Sequence, residues 1–198
     1  QDERTTQAVQ ISGGSLQIAS TGKLHTNELT LYDADNSHAS LITSGQLEIN
    51  NQLIVEKTFP AKGKWYFFSL PFDVYTNDIE NFTFKDDTET GSGNYFYLQT
   101  YNGQKRANGQ PGWSVVSASQ TTDQPIIHKH QGYLIALDAA ATTTTVRFHC
   151  PNTQIPETLG KAASIEITPN TEGNEANNGW ILCGNPLPAP LALRNIEG

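Results

Sequence analysis

Six short stretches in the first third of the chain recur in a fixed order. "SLQI" (15–18), "KLHT" (23–26) and "LTLY" (29–32) are followed by "SLIT" (40–43), "QLEI" (46–49) and "LIVEKTF" (53–59). Leu16 precedes Ser40 by 24 positions, Leu24 precedes Leu47 by 23 and Leu29 precedes Leu53 by 24. A recurrence of that length, with short strands cornered by Gly, Ser or Asn, is what a parallel β-helix requires: each coil turns Leu and Ile inward and stacks its backbone on the next. Residues 8–59 therefore read as two rungs of a β-solenoid. Two rungs do not bury a core alone, so the segment either continues another solenoid or leans on the rest of the chain. The competing arrangement is a pair of ordinary meanders inside a sandwich.

From Lys62 onward the strands lengthen and become aromatic. "WYFFSLPF", "FTFK", "YFYLQTY", "WSVVSA", "GYLIALD", "TTVRFHC", "SIEITP" and "GWILCGNP" make about eight candidate strands, the count of a jelly-roll-like sandwich. No stretch carries apolar residues at helical spacing. The expected fold is all-β: a short parallel β-helix-like stub of about two rungs in residues 1–60, then a jelly-roll-like antiparallel β-sandwich in residues 61–198. The block "WYFFSLP" (65–71) has an echo in "WILCGNP" (180–186). Alternation sets Trp65, Phe67 and Ser69 against Tyr66, Phe68 and Leu70, apolar on both sides. This predicts a core strand covered on both faces and ended by a proline, with the echo as a neighbouring strand ending beside it.

Composition narrows the classes of function. Charged residues are 16% of the chain and the net charge is −8 with 12 basic residues scattered along it, which gives no grip on a phosphate backbone. Nucleic acid is not an expected partner. No apolar run approaches the roughly 18 residues of a membrane span. The start at Gln1 and the absence of Met lead us to expect a processed or trimmed product. Cys150 and Cys183 lack C-x-x-C spacing; they read as two buried, inert thiols or as one cross-strand disulfide of an exported protein.

The runs "LEINNQLIVEKTFPAKGKWYFFSLPFDV", "YFYLQTYNGQKRANGQPGWSVV", "QGYLIAL" and "GWILCGNPLPAP" resemble an adhesin-like module of large secreted or surface-attached proteins of Bacteroidetes. The resemblance covers about residues 40–190 through Trp-x-x-x-Ser-x-Pro-Phe, Tyr-Asn-Gly-x-x-Arg-Ala, Gly-Tyr-x-Ile and Gly-Trp-x-x-x-Gly-Asn-Pro. It implies an extracellular or outer-membrane surface location and a glycan or protein partner. It implies no catalytic residue and no cofactor.

Catalytic signatures are missing: there is no G-x-S-x-G elbow, no H-E-x-x-H helix and no Gly-rich phosphate loop. Asp86 with Asp87, or Glu157 with Glu166, suits glycoside hydrolysis only if the fold brings the pair together. His128 and His130 share one face of an extended segment, short of a metal ligand set. "DADNS" (33–37) is oxygen-rich like a calcium loop, but turn chemistry accounts for it. The strongest surface candidate is "NYFYLQTYNGQKRANGQPGW": Tyr95, Tyr97 and Tyr101 fall on one face, with Arg106 and Trp113 close in sequence. Flat aromatic rings beside amide and guanidinium groups suit a sugar. The plainer account packs the tyrosines under loop 102–112 and pairs Arg106 with a carboxylate. The expectation is a non-catalytic surface-interaction module or solenoid cap, with carbohydrate binding around residues 95–113 as the alternative.

Overall fold

The aliphatic residues that recur through the first third of the chain meet one another across parallel strands. The computed structural model describes residues 3–34, 37–86, 91–117, 123–161, 164–166, 173, 176 and 178–189. Its strands are β1 (Glu3–Ser12), β2 (Ser15–Ile18), β3 (Lys23–Tyr32), β4 (Ser40–Thr43), β5 (Gln46–Thr58), β6 (Trp65–Phe68), β7 (Ile79–Glu80), β8 (Thr83–Phe84), β9 (Tyr95–Tyr101), β10 (Trp113–Val115), β11 (Tyr133–Leu137) and β12 (Thr145–Pro151). One short α-helix, α1 (Gly103–Ala107), and two 3-10 turns, Thr76–Asp78 and Asn152–Gln154, stand among them in the described residues. The fold is all-β.

β1, β3 and β5 pair in parallel, so that Val9, Leu29 and Leu53 form one column and Ile11, Leu31 and Val55 another. Leu24 faces Leu47 as the spacing predicts, while Leu16 faces Leu41, one position beyond the expected Ser40. Both residues of that last pair point inward: Leu41 is fully buried and Leu16 packs on the core. The corners between passes lie so close that Gln46 N donates to Gly22 O and Ser44 N to Ile18 O. Gly45 is required there, because a Cβ would strike the carbonyl oxygens of Ala19 and Gly22.

The first sheet then changes direction. β12 pairs antiparallel with β5 and β7 antiparallel with β12, giving the order β1-β3-β5-β12-β7. The expected boundary at 60–61 falls between β5 and β6, and the sheet begun before it continues through β12 from beyond it. The second sheet has the order β10-β9-β11-β6, with β8 beside β9. Phe148 of β12 links the two: its ring centroid lies 5.3 Å from Phe68 of β6 and 6.4 Å, edge-on, from Phe96 of β9. Around it one continuous cluster includes Leu29, Leu53, Leu98 and Ile135, all fully buried. Aromatic pairs at such separations add attraction beyond their buried area.

Three expectations are corrected. "GWILCGNP" is not a strand: it makes a single bridge, Cys183 to Gln131, and its backbone is spent on loop contacts such as Gly184 N to His130 O. Its end nonetheless meets the end of β6, where Asn185 N donates to Ser69 Oγ at 3.0 Å. In "SIEITP", Ser164–Glu166 are not in a strand, and the remainder lies outside the described residues. Cys150 and Cys183 are both free; Cys150 is buried in β12, whereas Cys183 is exposed. The pair is therefore neither a disulfide nor two core thiols. Burial pushes the Cys150 thiol up to about 12, with the carboxylates of Asp78 and Asp73 adding to the shift.

Truncating Phe148 to Ala removes the ring shared by both sheets and should lower stability by about 3–5 kcal/mol in urea melts; a loss below about 1 kcal/mol would place the load elsewhere. A chromogenic thiol reagent at about pH 8 should label Cys183 at once and Cys150 only after denaturation. Two rapidly reacting thiols in the native protein would contradict the burial of Cys150.

Candidate aromatic ligand face

β6 is the last strand of its sheet, and its two faces meet different surroundings. Tyr66 and Phe68 point inward, their ring centroids 5.8 and 5.9 Å from Phe59. Trp65 and Phe67 point outward and are 45% and 74% exposed. The expectation of a strand covered on both sides is overturned: no third layer lies over this face among the described residues. Pro71 and the apolar residues around it do enter the core, with Leu70, Phe72 and Val74 fully buried.

Register carries the outward positions across the sheet. Phe67 faces Leu134 of β11, Leu134 faces Gln99 of β9, and Gln99 faces Val115 of β10. One step along, Trp65 faces Ala136 and Ala136 faces Tyr97; at the other end Tyr101 faces Trp113. Small Ala136 sits between two aromatics and forms a floor rather than a ridge. The Trp113 ring stands edge-on to Tyr101 at 5.3 Å and 6.4 Å from Phe67. Trp113 and Phe67 come from opposite margins of four strands set roughly 4.8 Å apart, so their rings lean together over Leu134 and Gln99. The strands β6, β9, β10 and β11 contain no charged residue.

The residues singled out in the sequence do not share one role. Tyr95 lies under the Lys85 ammonium, 3.8 Å from its ring centroid, a cation–π contact that covers this ring. Tyr97 donates its hydroxyl to Asp138 Oδ2 at 3.0 Å. Tyr101 and Trp113, both half-buried, continue the outward row. Arg106 is exposed on α1, and it has no ion-pair partner among the described residues; the stem of Arg106 and the Tyr101 ring flank Gly112. The Asn-Gly step after β9 does not make a hairpin turn: Asn102 caps α1, its side-chain oxygen accepting from Lys105 N at 2.9 Å. That cap turns Arg106 toward the end of the aromatic row. Trp180, 62% exposed, passes the same end with its carbonyl against Gly103.

Sequence pattern missed Trp65, Phe67, Leu134 and Val115 as members of this face. Alternation showed which residues share a side but not whether a second layer covers that side. A signal was present all the same, in that β6, β9 and β10 each carry large rings at outward positions: Trp65 and Phe67, Tyr97 and Tyr101, and Trp113.

Other candidates are placed as follows. Asp86 is buried, Asp87 is outside the described residues, and Glu157 and Glu166 are exposed. His128 is exposed and His130 adopts a φ of 66°. Desolvation holds the His130 imidazole below its usual value, aided by Lys129 and opposed by Asp73. No group of three or more metal-type side chains gathers among the described residues. In "DADNS", Ala34 and Ser37 exchange backbone hydrogen bonds of 3.0 and 2.8 Å, while Asp35 and Asn36 are outside the described residues. Asp33 Oδ1 lies 3.0 Å from His38 Nδ1 and 3.7 Å from Lys57 Nζ. These three line a cleft of about 380 Å³ beside β6, together with Phe59, Phe67 and Asn185.

Compared with family models, with curated proteins and with solved structures, the chain finds no match.

Proposed function

We propose that this chain is a non-catalytic surface-interaction module that binds glycan through the outer face of its second sheet. The observation that carries the proposal is the exposure of Phe67, 74%, on an uncharged face where it leans toward Trp113 at 6.4 Å. Leaving large rings in water forgoes roughly 1.5–3 kcal/mol each relative to burial, and contiguous exposed apolar patches mark interaction sites. A sugar suits this face because its C–H side stacks on aromatic rings while its hydroxyls seek neutral hydrogen-bonding groups. Gln99 lies between the rings, and Arg106 stands at the end of the row with no ion-pair partner among the described residues. The binding set we assign is Trp65, Phe67, Gln99, Tyr101, Arg106 and Trp113. Tyr95 and Tyr97 fall outside it, one covered by Lys85 and the other bonded to Asp138.

We place the module in a secreted or cell-surface adhesin-like protein of the Bacteroidetes kind, on the strength of the motifs quoted above. In the same proposal residues 1–60 are a β-solenoid stub, supported by the parallel columns of β1, β3 and β5 and of β2 and β4. Residues 61–198 are a jelly-roll-like sandwich, supported by the antiparallel pairing in β10-β9-β11-β6.

Affinity electrophoresis through gels loaded with host and plant polysaccharides tests the ligand class. At least one should retard the protein, and Phe67→Ala or Trp113→Ala should weaken that retention about tenfold or more while stability changes little at exposed Phe67. Equal mobility in every gel would sink the proposal.

A further inference from the structure

The first sheet is closed at one end and open at the other. At the closed end, antiparallel β12 covers the edge of β5, and Asn152 Nδ2 donates to Asn50 O at 2.6 Å. At the open end, among the described residues, β1 pairs only with β3, and β2 only with β4. β1 is ten residues long and contains no proline and no bulge in its register with β3, two of the devices that blunt a natural sheet edge; its charges, Glu3 and Arg4, stand at its first two positions, with Arg4 over Leu24.

Burial falls off toward that edge. In one column Leu53 and Leu29 are fully buried, but Val9 is only half-buried; in another Leu41 is fully buried and Leu16 half-buried. A polar column runs the same way. Asn50 Nδ2 donates to Asn27 Oδ1 at 3.3 Å, and Asn27 Nδ2 donates to Gln7 Oε1 at 2.6 Å. Each amide donates toward β1, and the series stops at Gln7, whose own amide nitrogen has no acceptor among the described residues. A third column, Glu48–His25–Glu3, ends on an exposed carboxylate with His25 Nε2 3.5 Å from Glu3.

We infer that the free edge of β1 and β2 seats a further parallel β-coil joined ahead of Glu3, which makes this chain the end cap of a longer stack. The inference rests on the stub reading of residues 1–60 and deepens it by naming the interface and its partner. The incoming coil must put aliphatic residues over Val9, Ile11 and Leu16, an amide acceptor over Gln7 and a base over Glu3. These are the kinds of contact that β1 makes with β3 and β2 with β4, so the new interface continues an existing one. A separate chain is not needed to supply it.

Hydrogen exchange on a lengthened protein tests this. A copy of residues 23–45 fused directly ahead of Glu3 places Lys over Glu3, Asn over Gln7, and Leu over Val9, Ile11 and Leu16. β1 amides should then exchange about tenfold or more slowly than in the original chain, approaching those of β3. The same fusion with the three Leu changed to Lys should leave β1 exchange unchanged. Equal β1 exchange in both fusions, with β3 slow throughout, overturns the inference alone. Rapid exchange in β3 of the original chain overturns the stub reading beneath it. Protection of β1 that grows with protein concentration in the original chain assigns the edge to a second copy and also overturns the inference.

Discussion

Phe148 is the point on which the two sheets depend. It sits in β12, the strand that ends the parallel ladder by pairing antiparallel with β5, and its ring reaches Phe68 and Phe96 in the other sheet. A parallel ladder leaves backbone groups unpaired at its edge strands. Here β12 pairs the edge of β5 while Phe148 and its neighbours join the core. An unusual division follows: the inward rings of β6 and β9 are spent on the core between the sheets, and the outward rings of the same strands are left over.

Charge is divided in the same way. The outer side of the first sheet carries carboxylates and their partners, with Arg147 ion-paired to Glu56 and Glu80, and His149 beside Glu80. The four strands of the aromatic face carry none. The charged groups beside the face lie off its strands: Asp138, which accepts from the Tyr97 hydroxyl, and Arg106 on α1.

How much of this was legible in the sequence follows from which physical rule each feature obeys. The column of Leu29 and Leu53 was readable because strands paired in parallel through connections of equal length repeat their inward residues at a fixed spacing. The inward and outward sides of "WYFF" were readable from strand alternation alone. Coverage of the outward side was not, since it depends on whether any distant segment returns over it, and "GWILCGNP" stops at the sheet's end. The helix after Tyr101 was missed because Asn-Gly suits a hairpin turn as well as an N-cap, and only the bond to Lys105 N distinguishes them. The division of the tyrosine row was equally hidden: Lys85 over Tyr95 and Asp138 on Tyr97 are contacts across strands.

The central claim is that an open aromatic face takes a ligand, and the indole N–H signals report on it most directly. Labelled protein titrated with oligosaccharides from a retained polysaccharide should show saturable shifts of the Trp65 and Trp113 indole resonances with a shared dissociation constant. Unmoved Trp65 and Trp113 signals at saturating ligand would contradict the account.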